Sequence, residues 1–208
     1  MRKHIRVAAI ALIWLFHISG IIGIVLGYET WFIPKTPLTL LISFILLILL
    51  YPMGSMIKYA SVLLFFAIGF FVEWIGVTYG FLFGEYYYGN NLGTKIGGVP
   101  LMMGITWSML VLTSGAMVSK LAIPPAFKSI IGAALMVFLD FFIEPSAPTF
   151  DFWYWAIGHP PLINYISWFI ISFVMHLIYH RYIKGGNLDI SKHLYLAQLM
   201  FFAFFYVY

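Results

Sequence analysis

Long apolar runs at 7–27, 38–57, 59–80, 99–119, 125–143, 161–180 and 193–208 divide this chain into seven segments. Each is close to the ~20 residues that a helix needs to cross a hydrocarbon core. The second is interrupted near its end by Pro52 and Gly54, and the seventh runs straight into the C-terminus. Windows of alternating polarity, the mark of a membrane barrel, do not occur. The pattern predicts an all-α polytopic transmembrane helical bundle of about seven spans, with residues 1–208 forming a single integral membrane domain. Composition agrees: 9% of residues are charged, against roughly 25% in a soluble domain, so little beyond loops is left outside the spans.

Charge supplies an orientation. With a cytoplasmic N-terminus, the inner side holds Arg2, Lys3, Arg6, Lys58, Lys120, Lys128, Arg181, Lys184 and Lys192, and the outer side only Lys35 and Lys95. That asymmetry satisfies the positive-inside rule and favours an odd number of spans. The formal charge of +4 therefore reflects topology, and no nucleic-acid partner is expected. The basic start and apolar core of the N-terminus resemble a signal peptide, but the core is long and no A-x-A site follows, so it reads as an uncleaved first span. Cysteine is absent, which excludes disulfides, thiolate metal sites and cysteine nucleophiles.

The carboxylates are few and gathered. Of Glu29, Glu73, Glu85, Asp140, Glu144, Asp151 and Asp189, only Asp189 falls on the inner side. Glu73 and Asp140 lie in the outer halves of the third and fifth spans, and Glu144 lies at the end of the fifth. Asp140 and Glu144 are four apart and share a helical face, with Pro145 ending the helix nearby. Glu85 and Asp151 sit in the two long outer loops, 81–98 and 144–160, which are rich in Gly, Pro, Asn and aromatics. An acid in or beside hydrocarbon is costly and signals function. Burial and crowding raise carboxyl pKa values, so one acid of such a cluster can hold a proton while a neighbour stays ionised.

Other features carry less. Gly69, Gly76, Gly80 and Gly84 read as a helix-packing stripe, with Glu73 on the same face and turned into the bundle. Most loop aromatics fit an interfacial belt. His159 stands in the acid-bearing loop without the spacing of a metal site, and no metal is expected. His176 and His180 lie toward the inner end of the sixth span, far from the acids. His4 and His193 read as interfacial, and His17 as a packing residue. No phosphate loop, dinucleotide fingerprint or G-x-S-x-G elbow occurs. What remains is carboxylates, water and aromatic faces, a set suited to protonating an apolar alkene and holding the resulting cation.

Two long blocks carry a resemblance. FVEWIGVTYGFLFGEYYYGNNLGTKIGGVP at 71–100 and LDFFIEPSAPTFDFWYWAIGHPPLINYISWF at 139–169 are similar to the signatures of the integral membrane carotenoid biosynthesis proteins, which include the carotenoid and bisanhydrobacterioruberin hydratases. The second block holds an Asp, an acid–Pro pair, a W-x-W and a Pro-x-x-N-Y-x-x-W; the acid before Pro145 is Glu, where Asp is expected at least as often. The resemblance implies cofactor-free addition of water to the terminal double bond of an acyclic carotenoid, giving a tertiary alcohol, in a bacterial or archaeal cytoplasmic membrane.

Carried over by motif position, the candidates are Glu73, Glu85, Asp140, Glu144, Trp155 and Asn164, of which Glu73, Asp140, Glu144 and Asn164 are expected to be catalytic. Substrate would be held by Trp74, Tyr79, Glu85, Trp107, Asp151, Trp153, Trp155 and Tyr165. Either Asp140 or Glu73 would protonate the alkene, and Glu144 or Asn164 would orient the attacking water. Beyond the acyclic carotenoid and the bilayer, partners would be further copies of the chain or other carotenoid enzymes. The rival readings are a membrane lycopene-type cyclase, a non-catalytic carotenoid carrier and a proton-coupled transporter. The transporter is disfavoured because the inner half lacks matching carboxylates.

Overall fold

A computed structural model describes residues 2–208; the Arg2 side chain, counted above among the inner cations, lies outside what is described. The chain is an all-α bundle whose seven helical spans are each long and apolar enough to cross a membrane. They are α1 (Arg2–Val25), then α2 (Glu29–Phe32) running through a 3₁₀ turn into α3 (Thr36–Leu50), α4 (Met56–Tyr79), α5 (Leu101–Ser119), α6 (Pro125–Ile143), α7 (Leu162–Ile178), which ends in a π turn, and α8 (Leu188–Val207).

Three of the differences between the span boundaries and the hydropathy reading have a clear local cause. The second span begins at Glu29, because Pro34 and Pro37 fall at helix-start positions that tolerate proline. It stops at Leu50, where Tyr51 turns extended ahead of Pro52, the conformation that a following proline favours. The last span begins five residues before the predicted 193, at Leu188, where the Asn187 side chain accepts from the Ile190 N–H as a cap.

Helix α5 is the central post: residues 107–116 are buried throughout, and α4, α6 and α8 all pack on it. Its Ser108, Thr113 and Ser114 hydroxyls bond back to carbonyls of their own helix, so a buried helix can carry hydroxyls without orphan donors. Away from this post, Leu15, Ile22, Leu49, Leu63, Phe71 and Ile170 face outward, the arrangement expected where the surroundings are lipid tails. Polar ties fix the peripheral helices. Trp14 Nε1 donates to His193 Nδ1 (3.1 Å) between α1 and α8, and the Tyr195 hydroxyl donates to the Leu135 carbonyl (2.8 Å) between α8 and α6.

The predicted glycine stripe is half correct. Gly69 and Gly76 lie on the inner face of α4, Gly69 flush against Trp107. Gly80 is instead the left-handed residue that ends the helix, at φ 71°, a conformation glycine adopts without steric cost. Gly84 lies in the loop beyond.

A Cβ at Gly69 would stand 2.3 Å from the Trp107 Cβ, so Gly69→Ala must push α4 from α5. We predict a loss of about 1–3 kcal/mol, read as a lower unfolding temperature in detergent. Gly54→Ala, where nothing lies within 4 Å, should leave the transition unchanged.

Candidate active site

The C-terminal ends of α4 and α6 and the N-terminal ends of α5 and α7 meet at one end of the bundle, and the two long loops fold over them. Each loop contributes a three-residue strand: β1 (Tyr86–Tyr88) pairs antiparallel with the later WYW strand (Trp153–Trp155), Tyr86 opposite Trp155 and Tyr88 opposite Trp153. A strand alternates its side chains between faces. Tyr86 and Tyr88 therefore point inward, while Tyr87 and Tyr154 stack on the outside with centroids 5.2 Å apart.

Glu73 is the most enclosed acid, 2% exposed. Its Oε2 accepts from the Tyr86 hydroxyl (2.5 Å) and the Tyr88 hydroxyl (2.7 Å), and its Oε1 from Trp107 Nε1 (2.8 Å). Three donors from two other elements thus satisfy both oxygens of one carboxyl. Burial, then the adjacent Glu73 charge, pushes the Tyr86 and Tyr88 phenols well above their usual range, so both remain protonated donors. Trp107 is itself clamped, stacked on Trp168 with centroids 4.0 Å apart.

Asp140 and Glu144 lie one turn apart, as their spacing predicts, and Asn164 bridges them. Its amide nitrogen donates to Asp140 Oδ2 (3.1 Å) and to Glu144 Oε1 (3.2 Å). Glu144 Oε2 also accepts from Trp155 Nε1 (2.7 Å) and Trp153 Nε1 (3.1 Å). Among the described residues, Asp140 receives only the Asn164 bond. Glu144 sits just past the end of α6. Burial raises its carboxyl to about 7, against the opposing pull of the two indole donors.

Between these groups is a cavity of about 20 Å³, lined by all three acids, Asn164, Tyr86, Tyr88, Trp153, Trp155, Phe83, Met103 and Trp168. One water occupies roughly 10–15 Å³ on this measure, so the space is water-sized.

The other sequence-predicted site residues lie elsewhere. Trp74 and Tyr79 face outward, edge to face with one another. Glu85 is exposed, and its backbone carbonyl accepts from Ala156 N–H. Tyr165 is half-buried beside Phe141. Asp151 ties the loops together: its carboxylate accepts from Asn90 N–H (2.9 Å) and the Tyr154 hydroxyl (3.0 Å), and glycine at 89 leaves room for it, since a Cβ there would stand 2.2 Å from Asp151 Oδ1. Five carboxylates were expected at this end, and three of them share the cavity. His159 is exposed and close only to the Pro160 carbonyl.

Sequence reasoning missed Tyr86, Tyr88, Phe83, Met103 and Trp168. The signal for the tyrosines was present as two short aromatic runs, YYY and WYW, whose alternation marks a strand pair. Trp168 lies one turn from Asn164 and so on the same helical face.

The family model described as carotenoid biosynthesis protein matches residues 35–208, which takes in every residue of the cavity and leaves out α1. No curated protein and no solved structure matches the chain.

The raised Glu144 carboxyl has a consequence for stability. The folded protein holds this proton more tightly than the unfolded chain, so stability falls as pH rises from the ordinary carboxyl value of 4.5 to about 7 and levels off above it. The slope approaches about 1.4 kcal/mol per pH unit. Unfolding midpoints across that range should fall in the wild type, and Glu144→Gln should flatten the trend; an equal slope in both would show that Glu144 is not its source.

Proposed function

This chain belongs to the carotenoid biosynthesis protein family, and from that premise we propose that it hydrates the terminal C=C bond of an acyclic carotenoid end group. The observation that carries the reading is the water-sized cavity walled by three carboxyls and by aromatic rings. Acid-first hydration needs those parts: a proton donor, walls that tolerate a cation, and one oriented water.

Asp140 is the proton donor in this reading, because it receives a single protein hydrogen bond and so has least to hold it ionised. Its proton forms a C–H bond with the less substituted alkene carbon, and the π electrons leave a tertiary cation. In this reading Glu73, whose carboxyl accepts three hydrogen bonds, supplies the negative charge that offsets it. Ring faces in the cavity wall add cation–π attraction, about 2 kcal/mol or more for a well-placed desolvated ring. Glu144 accepts a proton from the water as its oxygen bonds the cation, and returning that proton to Asp140 completes the cycle. The Asn164 amide, bonded to both carboxyls, holds donor and acceptor in register. No cofactor enters the balance.

The same protonation would begin a cyclisation, with ring closure in place of water capture. Space for water beside Glu144 favours hydration, since a cyclase must keep water from its cation. A carrier has no use for three buried carboxyls. Ligand sites usually measure about 300–1,000 Å³, so the end group enters only as lining side chains move apart. The cation bias of the loops supports an orientation with the acid cluster toward the outer leaflet.

Co-expression with an acyclic carotenoid should yield pigment heavier by one water per reacted end. Pigment of unchanged mass with new chromatographic retention would indicate ring closure; shifted absorption with unchanged mass and retention would indicate a carrier. Asp140→Asn and Glu144→Gln should each lower product by roughly 10²–10⁴-fold, the range for general acid–base groups. Tyr79→Phe and Glu85→Gln, outside the cavity, should change it less than about twofold. Full activity in Asp140→Asn would refute its role as donor.

A further inference from the structure

A second cavity, of 1160 Å³, opens at the opposite end of the bundle, where the start of α1 faces the end of α3 and the start of α4. Its floor is apolar, formed by Leu49, Leu50 and Met53, and its cations are Lys3, Arg6 and Lys58. The Lys58 ammonium donates to the Pro52 carbonyl (2.8 Å), which fixes it at the groove. Arg6 pairs with Asp189 at 2.7 Å, so one carboxylate stands against three cations. The apolar floor runs out onto the lipid-facing belt, with Ile5 52% and Leu49 73% exposed.

Charge and hydrophobicity together specify the occupant. A soluble anion has no use for an apolar floor that continues into the bilayer, and a neutral lipid has none for a cluster of ammonium groups. We propose that this groove binds an anionic phospholipid of the cation-rich leaflet, its phosphate against Lys3, Arg6 and Lys58 and an acyl chain along Ile5 and Leu49. Each basic side chain near a membrane surface strengthens anionic-lipid binding about fivefold, and a groove directs that attraction onto one retained molecule.

The test is reconstitution of the full chain into phosphatidylcholine vesicles containing phosphatidylglycerol, followed by detergent extraction and native mass spectrometry of the lipid retained. Wild type should retain phosphatidylglycerol, and K3A/K58A should lower its affinity at least about tenfold, with helix content by circular dichroism unchanged. K3R/K58R should restore it. K120A/K192A removes the same charge from the same side of the protein but outside the groove, and should retain lipid as wild type does. Undiminished retention in K3A/K58A, or an equal loss in K120A/K192A, overturns the proposal. So does displacement of the lipid by soluble glycerol phosphate, which would mark a free-phosphate site. If K3A/K58A fails to fold, Lys3→Ala alone, at an exposed position, carries the test with a loss of about fivefold.

Discussion

A carboxylate enclosed within a membrane bundle must be given donors, and the architecture around the acid end follows from meeting that requirement at Glu73. No donor from its own helix reaches it. Trp107 comes from the central helix, and Tyr86 and Tyr88 from a loop that must fold back over the helix ends to arrive. That loop keeps its place by pairing with the second long loop. The second loop in turn brings Trp153 and Trp155 onto Glu144. Satisfying one buried carboxyl therefore organises a lid, and the lid encloses the remaining acids.

Enclosure also divides the acids by their surroundings. Glu73 has three donors, Glu144 three and Asp140 one. Carboxyls held close together but hydrogen-bonded so unequally differ in how readily each holds a proton, and such a difference is how a single site supplies both an acid and an anion. Asn164 belongs to this division, because its one amide group fixes the separation between the sparsely bonded acid and its well-bonded neighbour.

The spans were legible because lipid demands long apolar runs whatever the packing. Glu73, Asp140 and Glu144 were legible because charge at that depth is rare. Helix ends were less so. Pro34 and Pro37 read as loop residues until their position in the first turns is known, and Tyr51 breaks its helix for a reason held by the next residue. The lid was hidden more deeply. Nothing in the YYY run says that its partner is the WYW run at 153–155, and an aromatic belt explains either run equally well. Asp151 and Glu85 misled for a related reason: a loop acid can serve the loop instead of the chemistry, as Asp151 does in tying Asn90 to Tyr154.

In the proposed hydration, a carboxyl proton and then a water molecule add to the alkene within the acid-lined cavity. Isotope labelling tests it most directly. In heavy water, the carotenoid alcohol should carry one non-exchangeable deuterium on the carbon beside the carbinol centre, and water enriched in heavy oxygen should label the new hydroxyl. A hydroxyl whose oxygen comes from dioxygen, or an alcohol with no deuterium on that carbon, would contradict it.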